Sequence, residues 1–306
     1  MQYITAPPRV SLGVPVYNGE QYLDRALASL VDQSFEDYEV IVLDNASSDG
    51  TAAIAREYER RDRRFHYQRN ATNIGPTANF AALVPMAKAP LFKWFAADDR
   101  LRPTFLERCV AVLDGDRDVV LATARLELVG EDGRVLAFDP VRNLRVAANG
   151  ETKVPRPSIA GALTDPDPVV RYRHLLARMF GSQISTYLYG VIRTDTLRRT
   201  RLVRPYPGTD KILLAELALL GRFAEVSEVL WDCRVHPQHL GALAPAELTR
   251  QMRPGRSVHL PMMRIQQTLG YVAAVGRAPL GPVGKVSCLA ATARRGLAGS
   301  GGRPRT

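Results

Sequence analysis

The sequence has few cysteines, and the three that it has follow no known pattern. Cys109, Cys233 and Cys288 are far apart, odd in number and without a C-x-x-C spacing. This set predicts neither a disulfide framework nor a cysteine zinc site, and it favours a reducing compartment. The first residues, MQYITAPPRV, lack a charged segment followed by an apolar one. We therefore expect a cytoplasmic location.

Long apolar runs and glycine-rich phosphate loops are also missing. No stretch reaches the ~18 continuous apolar residues that a membrane-spanning helix needs. The turn after the first predicted strand holds one glycine, Gly19, whereas a dinucleotide-binding turn needs several. The run Gly281-Pro-Val-Gly-Lys-Val-Ser287 lacks the spacing of a P-loop. These absences argue against an integral membrane protein, a dinucleotide oxidoreductase and a P-loop NTPase.

Acidic residues are missing from the C-terminal part of the chain. The net charge is +10, yet Glu247 is the last acid, and the ten bases that follow it account for the whole excess. We predict a basic, helical or partly disordered tail over residues 246–306. Such a tail can contact an anionic membrane surface at the inner face of the membrane, or pack on the body as a helix. It has one aromatic residue, Tyr271, so we expect no specific nucleic-acid binding.

The first half of the chain alternates short β-rich runs with amphipathic helical patterns. This alternation predicts an α/β fold with a mostly parallel central sheet flanked by helices. Residues 137–168 are dense in proline, glycine and polar residues and are predicted to form a long loop. A strand is predicted near residues 185–192, a helix over 210–220 and a strand over 225–233.

Unusual polar runs follow three of the predicted strands. They are Val14-Pro-Val-Tyr-Asn-Gly-Glu20, Val42-Leu-Asp-Asn-Ala-Ser-Ser-Asp-Gly-Thr51 and Ala97-Asp-Asp-Arg100. Each run alone is explained by helix caps and turns. In a parallel sheet, however, all three runs meet at the edge where ligands bind.

These runs, together with Asn73-Ile-Gly75, resemble the family-two inverting glycosyltransferases, whose nucleotide-diphospho-sugar transferase domain has the GT-A fold. The match is close over about the first 125 residues and looser over 185–240. It implies one GT-A domain over residues 1–245, with a nucleotide-sugar half at about 8–126 and an acceptor half at about 127–245.

The resemblance implies a donor-binding set. Tyr17 would lie against the nucleobase, Asp44 would accept a hydrogen bond from its edge, and Glu20 would lie toward the ribose. The remaining donor-binding residues would be Pro15, Asn73, Gly75, Asp98 and Arg234. A turn before the helix at Pro76 explains Asn73 and Gly75 almost as well.

The resemblance also implies a divalent cation, Mn²⁺ or Mg²⁺, which would neutralise the departing diphosphate. Asp99 would ligate the ion, His236 would be a second ligand, and Asp98 would hold ribose hydroxyls or a metal-bound water. The strict D-x-D form is not met because Ala97 precedes the acidic pair, so either aspartate remains a possible ligand.

A transfer with inversion needs a base, and the resemblance assigns that role to Asp210. Thr209 stands where the family commonly has Glu, and a helix-capping role for Asp210 is the alternative. The expected function is metal-dependent transfer from a UDP-, dTDP- or GDP-sugar to a carbohydrate, lipid-linked or small-molecule acceptor. The competing expectation is a degenerate nucleotide-sugar-binding or scaffold protein.

Overall fold

The computed structural model describes residues 7–141, 144–146, 152–153, 163–178, 184–236 and 260–298. Its first part alternates strands and helices, as predicted. These elements are β1 (Val10–Val16), α1 (Glu20–Val31), β2 (Tyr38–Asp44), α2 (Thr51–Arg61), β3 (Phe65–Arg69), α3 (Pro76–Met86), β4 (Leu91–Trp94), β5 (Arg100–Leu101) and α4 (Phe105–Gly115).

The second part has a less regular order of elements. They are β6 (Val119–Val129), β7 (Ala137–Asp139), β8 (Leu144–Val146), β9 (Thr152–Lys153), α5 (Pro168–Ala177), a 3-10 helix (Ile184–Tyr189), β10 (Val191–Arg193), α6 (Thr194–Arg198), α7 (Thr209–Leu220), β11 (Arg222–Arg234), α8 (Leu260–Arg277) and α9 (Pro282–Ala298).

Eight strands form one sheet in the order β3-β2-β1-β4-β10-β6-β11-β5. The pairs β1–β2, β1–β4, β2–β3 and β6–β11 are parallel, and the three others are antiparallel. The mostly parallel, mixed sheet therefore confirms the predicted fold class. Since β10 and β11 complete a sheet that β1 to β4 begin, the two predicted halves share one framework.

The sheet is covered on both faces, which explains the composition of its inner strands. Nearly every residue of β1 and all of β2 are buried. One hydrophobic cluster forms with α1 and α4, and a second forms with α3, α5, α7, α8 and α9. A strand buried on both faces needs an almost continuous apolar run, such as Tyr38–Asp44 shows.

Two sequence predictions differ from the structure. Residues 184–189 form a 3-10 helix, and only Val191–Arg193 pair in the sheet. The β-branched and aromatic residues there suggested a strand, but burial of Tyr187 and Leu188 in the core favours the helical turn. The predicted loop over 137–168 contains β7, β8 and β9, which form a small antiparallel sheet.

The predicted basic tail contains two helices that pack on the body. α8 contacts α7, and α9 contacts both α5 and α8. Tyr271, Val275 and Cys288 are buried by this packing, and Arg277 pairs with the buried carboxylate of Glu216. Residues 246–259 and 299–306 of the tail lie outside the described part of the chain. Within that part, no helix is both long and apolar enough to cross a membrane.

Candidate active site

A cleft of about 1000 Å³ opens at the carboxyl ends of the parallel strands β1, β2 and β4. Residues that follow these strands form much of its wall. Six sequence-predicted site residues line it, namely Pro15, Tyr17, Glu20, Asn73, Asp98 and His236. Five others, Asp44, Gly75, Asp99, Arg234 and Asp210, are described by the structure but do not line the cleft.

The turns after β1 and β2 are joined by hydrogen bonds, which fixes one wall of the cleft. The backbone N–H of Asn18 donates to Oγ of Ser47 over 2.9 Å, and Gly50 N–H donates to Oε2 of Glu20 over 2.9 Å. Asn18 and Ala46 have φ angles of 49° and 64°. Left-handed backbone at a residue other than glycine costs energy and is concentrated at functional sites.

Tyr17 is one of the residues that line this cleft. Tyr17 is 51% exposed. An exposed aromatic face at the ligand edge of a parallel sheet suits stacking on a planar group. Glu20 lines the cleft nearby, with one carboxylate oxygen held by Gly50.

Asp44 is fully buried at the end of β2, below the cleft. Its Oδ1 accepts from Ser47 N–H over 2.8 Å, and its Oδ2 accepts from the Tyr67 hydroxyl and from Arg69, over 2.8 and 2.7 Å. Burial alone would raise the pKa of Asp44, but these hydrogen bonds and the Arg69 charge lower it below its usual range. Asp44 is therefore an ionised carboxylate with three protein partners.

Four asparagines form a connected hydrogen-bond network beside the cleft. Nδ2 of Asn70 donates to Oδ1 of Asn45 and Asn79, and Nδ2 of Asn45 donates to Oδ1 of Asn73 over 2.8 Å. Gly75 has a φ of 85°, so glycine is required to turn the chain into α3. The structure thus gives Gly75 a backbone role, while Asn45, Asn73 and Asn79 line the cleft.

Asp98 and His236 meet in the cleft from different parts of the sheet. Oδ2 of Asp98 and Nε2 of His236 are 2.8 Å apart. Asp98 follows β4, and His236 comes two residues after the end of β11. The rings of Tyr22 and His236 pack with their centroids 5.0 Å apart, which fixes the imidazole beside the carboxylate.

Asp99 points away from the cleft and is 5% exposed. Its Oδ2 accepts from Nε1 of Trp231 over 2.9 Å, and its Oδ1 accepts from the backbone N–H of Arg234 over 2.8 Å. Burial, together with the neighbouring charge of Asp98, raises the pKa of Asp99 well above its usual range. Both partners belong to β11, so Asp99 attaches the end of that strand to the connection between β4 and β5.

Arg234 is buried, and its guanidinium binds backbone oxygens. Nε donates to the Asp98 carbonyl over 2.9 Å, and Nη1 donates to the carbonyls of Gly130 and Glu131. The guanidinium lies 5.0 Å from the ring centroid of Tyr22. These contacts fix the backbone on both sides of the Asp98–His236 pair.

Asp210 lies in the first turn of α7, half-buried, and accepts a hydrogen bond from the Ser185 hydroxyl. Ser185 belongs to the 3-10 helix whose last residue, Tyr189, does line the cleft. The predicted base therefore stands next to an element of the cleft wall, although its own side chain is not part of that wall.

Three aromatic residues of the cleft were not predicted from the sequence: Tyr22, Phe80 and Tyr189. Phe80 stacks on Trp94 at 4.2 Å and meets the edge of Tyr189 at 6.1 Å. In the sequence, these residues cannot be told apart from aromatic residues that an amphipathic helix buries in the core. Only the folded arrangement shows that these rings reach the cleft.

The chain offers a modest set of ligands for a divalent cation. Among the described residues, no group of three or more His, Cys, Asp or Glu side chains is arranged to hold one. The pair of Asp98 and His236 combines a carboxylate oxygen with an imidazole nitrogen, a donor set that suits Mn²⁺. Divalent cations at phosphate sites commonly take one or two protein ligands and complete their shell with phosphate and water. The residues fit a cation held jointly with a diphosphate.

Comparison with known proteins agrees with this fold. Staphylococcus aureus TarS 1–349, solved in complex with UDP-GlcNAc, superposes with a TM-score of 0.64 at 18% identity, covering 94% of this chain and 72% of that one. The mannosyltransferase PcManGT from Pyrobaculum calidifontis, solved with GDP-Man and Mn²⁺, gives 0.51 at 16% identity, covering 98% and 77%. The chain thus has the α/β architecture of GT-A proteins.

Sequence comparison identifies the family. The family model for glycosyl transferase family 2 matches residues 11–162, about half of the chain. The abequosyltransferase RfbV of Salmonella typhimurium is 35% identical over 116 residues, which cover 37% of this chain and 34% of RfbV. The chain spans less than half of the length of the first curated relatives that it matches. It belongs to glycosyl transferase family 2.

Proposed function

We propose that this protein transfers a sugar from a nucleotide-diphospho-sugar donor to an acceptor hydroxyl, with inversion at the sugar carbon. One observation carries the proposal: the exposed ring of Tyr17 and the Asp98–His236 pair line the same cleft at the ligand edge of the sheet. A stacking face and a cation-binding pair in one cleft suit a ligand with a flat base at one end and a diphosphate at the other.

The donor nucleotide would bind across the turns after β1 and β2. The Tyr17 ring would stack on the base, and Pro15 and Asn73 would line the same part of the cleft. Asp44 is fully buried and already has three partners, so it would act mainly by holding Tyr67, Arg69 and the β2–α2 turn in position. Glu20 would face the ribose with the oxygen that Gly50 leaves available.

A divalent cation, Mn²⁺ or Mg²⁺, would be held by Asp98 and His236 together with the donor diphosphate. When bound, the cation supplies positive charge for the diphosphate that leaves. Asp98 suits this role better than Asp99, since both oxygens of Asp99 accept hydrogen bonds from β11. Asp99 and Arg234 would keep the pair in position by fixing the backbone around it.

The acceptor hydroxyl would lose its proton to Asp210. Ser185 donates to one carboxylate oxygen of Asp210, which orients the other. The acceptor would be a carbohydrate, a lipid-linked glycan or a small molecule, and the protein would act in the cytoplasm. RfbV is named an abequosyltransferase, and TarS was solved with the nucleotide sugar UDP-GlcNAc. Both support glycan assembly as the setting.

A nucleotide-sugar-binding protein without transfer activity is the competing proposal. The observation that favours it is the position of Asp210, whose side chain does not line the cleft. Under the transfer proposal, by contrast, α7 and the 3-10 helix would have to bring the Asp210 carboxylate to the acceptor once the acceptor binds.

A donor panel separates the two proposals. The purified chain is incubated with UDP-, dTDP- and GDP-sugars, with and without Mn²⁺, and both donor hydrolysis and thermal stabilisation are measured. Turnover with one nucleotide class supports transfer. Stabilisation without turnover in the presence of candidate acceptors supports a binding protein, and the absence of both contradicts nucleotide-sugar recognition.

A further inference from the structure

The hairpin formed by α8 and α9 exposes a row of apolar side chains on each helix. The α8 row is Ile265, Leu269 and Val272, and the α9 row is Val283, Val286 and Leu289. We call these rows the apolar stripes. Their spacings of three and four residues put each row on one helix face. Of the thirteen large hydrophobic residues that the described part of the chain exposes, six belong to the stripes.

The stripes lie opposite the faces that hold the hairpin on the body. On α8, Tyr271, Ala274 and Val275 are buried, and on α9, Cys288 and Thr292 are buried. Thr292 exchanges a hydrogen bond of 2.7 Å with the Tyr172 hydroxyl of α5. The faces of α8 and α9 that hold these residues therefore already pack against the body. The stripes are additional apolar surface, with Leu269 at 60% and Val283 at 85% exposure.

The charged residues of the two helices themselves have one sign only. Neither helix contains Asp or Glu, and no acid follows Glu247. Arg264 and Arg294 are exposed on the same two helices. A nucleic acid would match the charge but would make little use of aliphatic side chains. A surface that combines negative charge with a hydrocarbon layer matches both features.

We propose that the α8–α9 hairpin docks the protein on an anionic lipid bilayer, with the apolar stripes in the interface and the arginines on the headgroups. Binding of this kind is peripheral and reversible, because it depends on partial burial of two helix faces. The proposal is independent of the transfer reaction, since no residue of the cleft takes part in it.

Vesicle sedimentation with the full chain tests the proposal. Vesicles are made from phosphatidylcholine alone or with phosphatidylglycerol added, and bound protein is measured at rising salt. We expect binding to the anionic vesicles only, weakened by salt. The double variant Leu269→Gln, Val286→Gln should bind roughly tenfold more weakly. Arg264→Gln and Arg294→Gln should each cost about fivefold.

Val141→Gln is the matched control, since Val141 is 93% exposed but lies outside the hairpin. It should bind like the parent chain, and all variants should keep the parent melting temperature. Equal binding to neutral vesicles, or unchanged binding by the stripe variant, overturns the proposal. A lack of binding to both kinds of vesicle also overturns it. If the chain then forms a dimer that the stripe variant dissociates, a second copy covers the stripes instead of a bilayer.

Discussion

Oδ2 of Asp98 lies 2.8 Å from Nε2 of His236, although the two residues are 138 positions apart in the chain. If the pair holds a cation with the donor diphosphate, loss of one carboxylate charge removes half of the protein's ligands. We expect Asp98→Asn to weaken donor binding in Mn²⁺ by at least about tenfold, which corresponds to ~1.4 kcal/mol. Titration calorimetry with and without Mn²⁺ measures this effect.

Asp99→Asn is the control for this substitution. Its amide cannot accept from both Trp231 Nε1 and the Arg234 N–H as the carboxylate does, so the variant should lose about 1–3 kcal/mol of unfolding free energy. Metal dependence of donor binding should persist. If the Asp99→Asn variant is stable but its donor binding no longer depends on the metal, Asp99 and not Asp98 is the metal ligand.

Tyr17 provides a test of base stacking. Because its ring is half exposed, Tyr17→Ala should leave stability within about 0.5 kcal/mol. Donor affinity should fall by about 1–3 kcal/mol if the ring stacks on the base. Tyr17→Phe keeps the ring and should bind like the parent chain. Equal affinity of the alanine and phenylalanine variants would mean that the base binds elsewhere.

Asp210 and Ser185 test the assignment of the base. Asp210→Asn keeps the shape of the side chain but cannot take a proton, so transfer should fall by roughly 10²-fold or more while donor affinity stays unchanged. Ser185→Ala should reduce transfer less, since it removes only the orienting hydrogen bond. Single-turnover rates at saturating donor separate chemistry from binding. Full activity of Asp210→Asn would rule this carboxylate out.

Asp44 makes stability depend on pH. Its pKa is lowered in the folded protein, so its contribution is present above the ordinary aspartate pKa of about 4 and is lost as the pH falls through the lower, folded value. We expect the parent chain to lose more unfolding free energy between pH 5 and pH 3 than Asp44→Asn does. Urea unfolding at several pH values measures the difference, and identical pH dependence of both chains would contradict it.

The sequence predicts the fold through local patterns. Apolar runs such as Tyr38–Asp44 and helices with Pro76 at the first turn have signals within ten or so residues, so the alternating first half follows from them. Residues 184–189 were not predicted correctly because their β-branched and aromatic side chains suit a strand as well as a buried 3-10 turn. Tertiary packing chose the turn.

The location of the candidate site in the fold could be predicted from the sequence, but its detailed contacts could not. Polar residues after β1, β2 and β4 indicate the edge of the sheet where the cleft opens, and six predicted residues line that cleft. β11 determines which of Asp98 and Asp99 faces the cleft, because Trp231 and Arg234 of that strand donate hydrogen bonds to the carboxylate of Asp99. A contact across more than 130 residues leaves no trace in local spacing.

β11 pairs with β6 on one side and with β5 on the other, and His236 lies two residues beyond its end. A nascent chain that has left the ribosome only as far as residue 221 already contains Tyr17 and Asp98 but lacks the imidazole of His236. If Asp98 and His236 hold a cation, as proposed, the two ligands come together only after β11 has paired with β6 and β5.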